Sequence, residues 1–111
     1  MADLISEVER LRGLLTRSVN DLLEHGKDLA QKEHDYQVAK AQQVLLMKDQ
    51  GRPVTEISLT IKGQPAVADA ILQRDIAQTL YDTNKEHINA TKLELRILEN
   101  QIAREWGNTN E

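Results

Sequence analysis

The stretch PAVADAILQRDIAQTLYDTNKEHINATKLELRILENQIAREW, from Pro65 to Trp106, decides the fold. It follows a seven-residue repeat from end to end, and steps of three and four residues trace a seam along one side of a helix. The seam positions are Val67, Ala70, Arg74, Ala77, Tyr81, Asn84, Ile88, Thr91, Leu95, Leu98, Ile102 and Glu105. Such a helix is about 60 Å long at the standard rise, so it needs a partner to bury this seam.

The partner helix is predicted in the first half of the chain, where apolar residues recur every three or four positions. Their stripe consists of Leu4, Val8, Leu11, Leu15, Val19, Leu22 and Leu29. Gly51 and Pro53 predict that this helix ends near residue 50, because glycine favours the turn after a helix and proline prevents continuation. We therefore predict helices at about 3–50 and about 65–106. The second begins with Pro65 and ends before Gly107, with a frayed tail at 107–111.

The connector, residues 51–64, has a different pattern. Ile57, Leu59 and Ile61 alternate with polar residues, which predicts a short strand. A single strand has no partner within a two-helix chain, so these three residues are predicted to contact another subunit. The alternative is a helical turn or loop whose isoleucines pack onto the long helices.

Together these patterns predict an all-α fold in a single domain. The chain would form a long antiparallel, coiled-coil-like helical hairpin with a strand-like connector, and the hairpins would assemble into an oligomeric bundle. One Trp, two Tyr and no Phe in 111 residues provide few large side chains for a core within one chain. Leu72, Ile76 and Leu80 form a second apolar line on the second helix, which predicts burial on more than one side.

Composition excludes several classes of function. The absence of cysteine rules out disulfides and thiolate sites, and a net charge of −4 disfavours a protein that coats DNA. There is no apolar run of the length of a membrane span, so we expect an intracellular protein with no membrane partner. No phosphate-binding loop, dinucleotide motif or nucleophile motif is present, so we expect no enzyme, cofactor or metal. The three histidines are interpreted as parts of solvated helix faces.

Arg74 and Asn84 occupy seam positions where leucine would be more stabilising. Such polar residues can fix the register and number of helices in a bundle. The alternative is that they line an internal pocket with Tyr81, where a guanidinium and an amide recognise a planar anionic ligand.

Two further features are candidates for binding. Lys85, Asn89, Lys92 and Arg96 lie on one flank of the seam, where they either hold phosphate groups or pair with neighbouring glutamates in solvent. Trp106 at the predicted helix end is either a packing cap over Ile102 and Ala103 or an anchor for a partner protein.

Several segments carry a resemblance to a known group of proteins. They are KDQGRPVT at 48–55, the pair Lys62-Gly63, and LELRILE at 93–99 followed by REWGN at 104–108. From Tyr36 onward the chain resembles small proteins of phages and prophages of Gram-positive bacteria. The resemblance implies an accessory protein in the cytoplasm of the bacterial host, and it implies no catalytic residues.

The leading hypothesis is a non-enzymatic phage protein that counters host defence. Its homo-oligomer would sequester an anionic ligand such as a nucleotide signal, or a host or phage protein. One alternative is an accessory protein of phage DNA replication or recombination with weak contacts to single-stranded DNA. The other is a structural coiled-coil component of the virion.

Overall fold

A computed structural model describes the backbone of residues 2–110 and the side chains of residues 2–107. The elements are α1 (Ala2–Asp49), α2 (Val54–Thr60), a short 3₁₀ turn (Ile61–Gly63) and α3 (Pro65–Asn110). No strand occurs in the part of the chain that the structure describes, so the all-α prediction is confirmed. None of the helices within this range is both long and apolar enough to cross a membrane.

The contacts of the chain divide it into two compact units. Unit 1 consists of the residues up to Glu24 and those from Asp82 onward, and unit 2 is His25–Tyr81. Each unit has its own apolar core.

Unit 1 pairs the first part of α1 with the second part of α3 in antiparallel order. Val8 and Leu11 of α1 are buried with Leu95 of α3. The residues packed around them are Leu14, Leu15, Leu98 and Ile102. Arg12 and Glu99 form an exposed ion pair between the two helices at 3.3 Å. The helices of this unit are therefore held mainly by apolar burial, because an exposed ion pair contributes little.

Unit 2 adds α2 to the pair of long helices. Its buried core consists of Tyr36, Met47, Ile57, Ile61 and Val67. Met47 and Val67 are completely shielded from solvent. All three helical segments thus contribute to one core, which fixes the connector against α1 and α3.

The end of α1 is the one that Gly51 and Pro53 predict. Gly51 has a φ of 77°, which is the left-handed region that favours glycine. The Gly51 amide donates to the carbonyl of Lys48 at 2.9 Å, and the Arg52 amide donates to the carbonyl of Met47 at 3.1 Å. This pair of bonds is a Schellman motif, which satisfies carbonyl groups at the end of the helix.

The predicted strand in the connector is wrong, and the helical alternative is correct. Ile57 and Ile61 are both buried, whereas Leu59 is 83% exposed. Positions 57 and 61 share one face of a helix, because four residues make slightly more than one turn. The Ile57 amide donates to the carbonyl of Pro53 at 3.0 Å, which closes the first turn of α2.

The predicted seam of α3 is confirmed, since all twelve of its positions are buried or half-buried. The second apolar line of α3, in contrast, is exposed. Leu72, Ile76 and Leu80 are 56%, 46% and 47% exposed, so the predicted burial on a second side does not occur within one chain. A pair of helices leaves the back of each helix uncovered.

The stripe of α1 also needs one correction. Val19 is about half exposed, and the neighbouring Ser18 is buried in its place. Ser18 faces Asn84 of α3, whose amide donates to the Ser18 carbonyl at 2.9 Å. A small side chain at this position allows the asparagine to reach the opposite backbone.

The helix end predicted at Gly107 is also wrong, because α3 continues to Asn110. Gly107 lacks the positive φ of a glycine that terminates a helix. Trp106 is 64% exposed, so it is not a cap buried against Ile102 and Ala103. Of the predicted frayed tail, residues 107–110 are helical, and Glu111 lies outside the described residues.

Candidate functional site

A groove of about 700 Å³ lies between α1 and α3 in unit 2. Two of the predicted ligand residues, Arg74 and Tyr81, line it together. The other lining residues are Gly26, Leu29, Ala30, Glu33, Asp75 and Gln78. The groove therefore combines an apolar floor with a guanidinium, two carboxylates and an amide.

Arg74 is the positively charged residue that lines the groove. Its guanidinium carbon lies 4.5 Å from the centre of the Tyr36 ring, a cation–π distance. Tyr36 is buried, so it provides a fixed surface beneath the guanidinium. The side chain of Arg74 is 29% exposed, which leaves part of it open to the groove.

Two carboxylates pair with Arg74, but neither holds it tightly. A terminal nitrogen lies 3.6 Å from Glu33 Oε2, and Nε and the other terminal nitrogen each lie 3.4 Å from Asp75 Oδ1. A tight bond between a guanidinium and a carboxylate measures about 2.7–2.9 Å. Stacking on Tyr36 thus fixes the orientation of the guanidinium. Its N–H donors can still bind an acceptor that comes closer than Glu33 or Asp75.

Gly26 explains how Tyr81 reaches α1. A Cβ atom at position 26 would lie 3.4 Å from Cε2 of Tyr81, at the limit of ordinary contact. Glycine inside a helix costs about 1 kcal/mol relative to alanine. Here it lets the aromatic ring lie close against the backbone of α1, where the ring forms one wall of the groove.

Asn84, the third residue predicted for this pocket, does not line it. Its side chain is committed to the Ser18 carbonyl in unit 1. The structural interpretation of Asn84, as a polar seam residue that fixes the pairing of two helices, is therefore the one that its contacts support.

The predicted basic line lies on α3 within unit 1. Lys85, Asn89, Lys92 and Arg96 are all exposed, and their spacing places them on one flank of the helix. Glu99 follows on the same helix and pairs with Arg12. The line presents three cations in a row on this exposed flank.

Of the four residues predicted to contact another subunit, two are buried and two are exposed. Ile57 and Ile61 are buried in the core of unit 2, so they are unavailable to a partner. Leu59 and Trp106 are exposed, so they remain candidates for a partner contact.

Sequence patterns alone missed four of the residues that give the groove its character, namely Glu33, Tyr36, Asp75 and Gln78. The only available signal was the polar stretch at 31–43 around Tyr36, opposite a helix that carries an arginine in its seam. Which residues of α1 face Arg74 depends on the register of the two helices, and local periodicity does not determine register.

Among the side chains of residues 2–107, no group of three histidine, aspartate or glutamate residues is placed to hold a metal ion. A comparison with known protein families, with characterised proteins and with solved structures finds no match.

Proposed function

We propose that the protein acts by binding a small ligand in the groove of unit 2 and catalyses no reaction. The observation that carries this proposal is the stacked, loosely paired guanidinium of Arg74 above an apolar floor. A guanidinium of this kind suits a carboxylate or a phosphate group, since its donors can engage two oxygen atoms together.

The carboxylates narrow the class of ligand. Glu33 and Asp75 place two negative charges beside one positive charge, so an ion such as inorganic phosphate is repelled as well as attracted. Repulsion between two unit charges at 4 Å ranges from about 1 kcal/mol in water to about 4 kcal/mol near a protein surface. A favoured ligand therefore also carries hydrogen-bond donors for the carboxylates. A nucleotide meets both needs, with its phosphate on Arg74 and the exocyclic amine of its base on a carboxylate.

This ligand class fits a role in sequestering a nucleotide signal, which is the counter-defence function of our leading hypothesis. The experiment is titration calorimetry with cyclic nucleotides and with ADP-ribose. We expect Arg74→Gln to weaken binding by at least tenfold, because a charge-assisted bond contributes about 1.5–3 kcal/mol. Arg96→Gln is the matched control, since Arg96 is an exposed arginine of the same helix that does not line the groove.

A second variant tests the class of ligand. If a carboxylate accepts a hydrogen bond from the base, Glu33→Gln weakens nucleotide binding. If the ligand binds only through its negative charge, the same substitution strengthens binding. Absence of measurable heat with every nucleotide refutes the proposal.

The exposed line from Lys85 to Arg96 favours a second candidate, an accessory role in DNA metabolism. Cations in a row can contact successive phosphates of single-stranded DNA, and such contacts weaken steeply with salt. A salt-dependent gel shift that is lost in Lys92→Glu but kept in Arg74→Gln would support this candidate over the groove.

A further inference from the structure

An apolar stripe on α3 of unit 2 has no partner within the chain. We define it as the back stripe, formed by Leu72, Ile76 and Leu80, and all three side chains are about half exposed. Their spacing of four residues keeps them on one face over slightly more than two turns of helix. A hollow of about 260 Å³ lies beside Ile76 and Leu80, bordered by Asp75 and Thr79. A ridge with an adjacent hollow is the geometry that receives a side chain from a facing helix.

The back stripe is symmetric in sequence. Leucine lies four residues before Ile76 and again four residues after it. If a second α3 packs against it in antiparallel order about a two-fold axis at Ile76, each Leu72 faces a Leu80. Two-fold interfaces require this kind of self-complementarity, because the same patch occurs on both sides.

The polar residues beside the back stripe are compatible with the same pairing. In the antiparallel register centred on Ile76, Asp69 faces Thr83 and Gln73 faces Thr79. No pair of acidic residues is directly opposed, and Asp75 has the guanidinium of Arg74 beside it at 3.4 Å. Like charges across the contact therefore do not oppose it.

The accessible surface of the chain is large enough to form an interface of ordinary size with a second copy. Its accessible surface is 7821 Å², about 1,600 Å² more than the roughly 6,200 Å² expected for a folded monomer of its mass. A specific interface removes about 800 Å² from each partner, and interfaces of obligate dimers remove more. Fourteen large apolar side chains are exposed among the described residues, against ten apolar side chains that are buried.

We propose that a second copy of this chain covers the back stripe, in an antiparallel, two-fold α3 contact centred on Ile76. The contact uses the face of α3 formed by Leu72, Ile76 and Leu80, whereas Arg74 and Tyr81 of the groove belong to the seam. Asp75 is the residue that the two surfaces share, because it borders both the groove and the hollow beside the back stripe.

Cysteine cross-linking tests both the surface and its symmetry, and the natural chain contains no cysteine that would interfere. Residues on the two-fold axis are close enough for a disulfide, which requires Cα atoms about 4.4–6.8 Å apart. We expect Ile76→Cys to form a covalent dimer under mild oxidation. Leu72→Cys alone should not, because its copies are eight residues apart along the paired helices, but a mixture of Leu72→Cys and Leu80→Cys should.

A charge substitution provides the second arm. We expect Ile76→Glu to be a monomer by light scattering with unchanged helical circular dichroism. Leu93→Glu, at an equally exposed leucine of unit 1, should remain a dimer. The inference is overturned if Ile76→Glu remains a dimer, if Leu93→Glu dissociates as well, or if Leu72→Cys cross-links as efficiently as Ile76→Cys. A monomeric natural chain that binds another protein through Ile76 would overturn it too.

Discussion

At the scale of single residues, Gly51 and Gly63 have different backbone conformations, although both lie in the connector. Gly51 adopts a φ of 77°, and Gly63 does not have a positive φ. A Cβ atom would meet nothing within 4 Å at either position, so only the backbone distinguishes them. We expect Gly51→Ala to lower the free energy of unfolding by about 1–2 kcal/mol, and Gly63→Ala to change it by less than about 0.5 kcal/mol. Urea denaturation followed by circular dichroism measures both, and equal effects would contradict the assigned end of α1.

Asn84 shows how one polar residue can specify the pairing of two helices. Its amide donates to the Ser18 carbonyl, and an aspartate there would place two acceptors against each other. We expect Asn84→Asp to destabilise the protein by about 1–3 kcal/mol, the cost of a partly buried polar group without its partner. Asn89→Asp is the matched control on the exposed flank of the same helix. Thermal unfolding of both variants tests this, and a neutral Asn84→Asp would mean that the bond contributes nothing to the pairing.

At the scale of elements, α2 and the 3₁₀ turn after it hold the connector in the core through consecutive turns of one face. Ile57 and Ile61 are buried there, and Leu59 between them points to solvent. We expect Ile57→Ala to cost about 2–4 kcal/mol through the cavity that it leaves. We expect Leu59→Ala to change stability by less than about 0.5 kcal/mol, since it removes no buried contact. Similar losses for both, measured by denaturant unfolding, would favour an extended connector instead of α2.

The connector also shows where sequence patterns are ambiguous. Residues 57, 59 and 61 alternate as in a strand, but 57 and 61 are also one helical turn apart, so both structures bury the same two isoleucines. The seam of α3 was predictable because twelve positions repeat over many turns, and chance does not sustain such a pattern. The turn at Gly51 was predictable because its signal is local.

The groove was predictable only in part, for a physical reason. Arg74 and Tyr81 are conspicuous as large polar-tipped residues in an apolar seam. Glu33 and Asp75 have no such signal, because charged residues on exposed helix positions are ordinary. Asp75 is the sequence neighbour of Arg74, but Glu33 meets the same guanidinium only because α1 and α3 pair in this register.

At the scale of the whole molecule, the chain exposes more large apolar side chains than it buries. Eight buried apolar side chains form two small cores, while fourteen large ones are exposed in the described part of the chain. Hydrophobic burial is the main favourable term in folding, at about 25 cal/mol for each Å² removed from water. A second copy on the back stripe would therefore stabilise the fold. The free energy of unfolding would then rise with protein concentration.

The most direct test of this central claim is the mass of the natural protein in solution, measured by multi-angle light scattering at micromolar concentration. One chain has a mass of 12.6 kDa. We expect the measured mass to be twice that value, and we expect it to return to the mass of one chain in Ile76→Glu. A natural protein that has the mass of one chain throughout the micromolar range would contradict the claim.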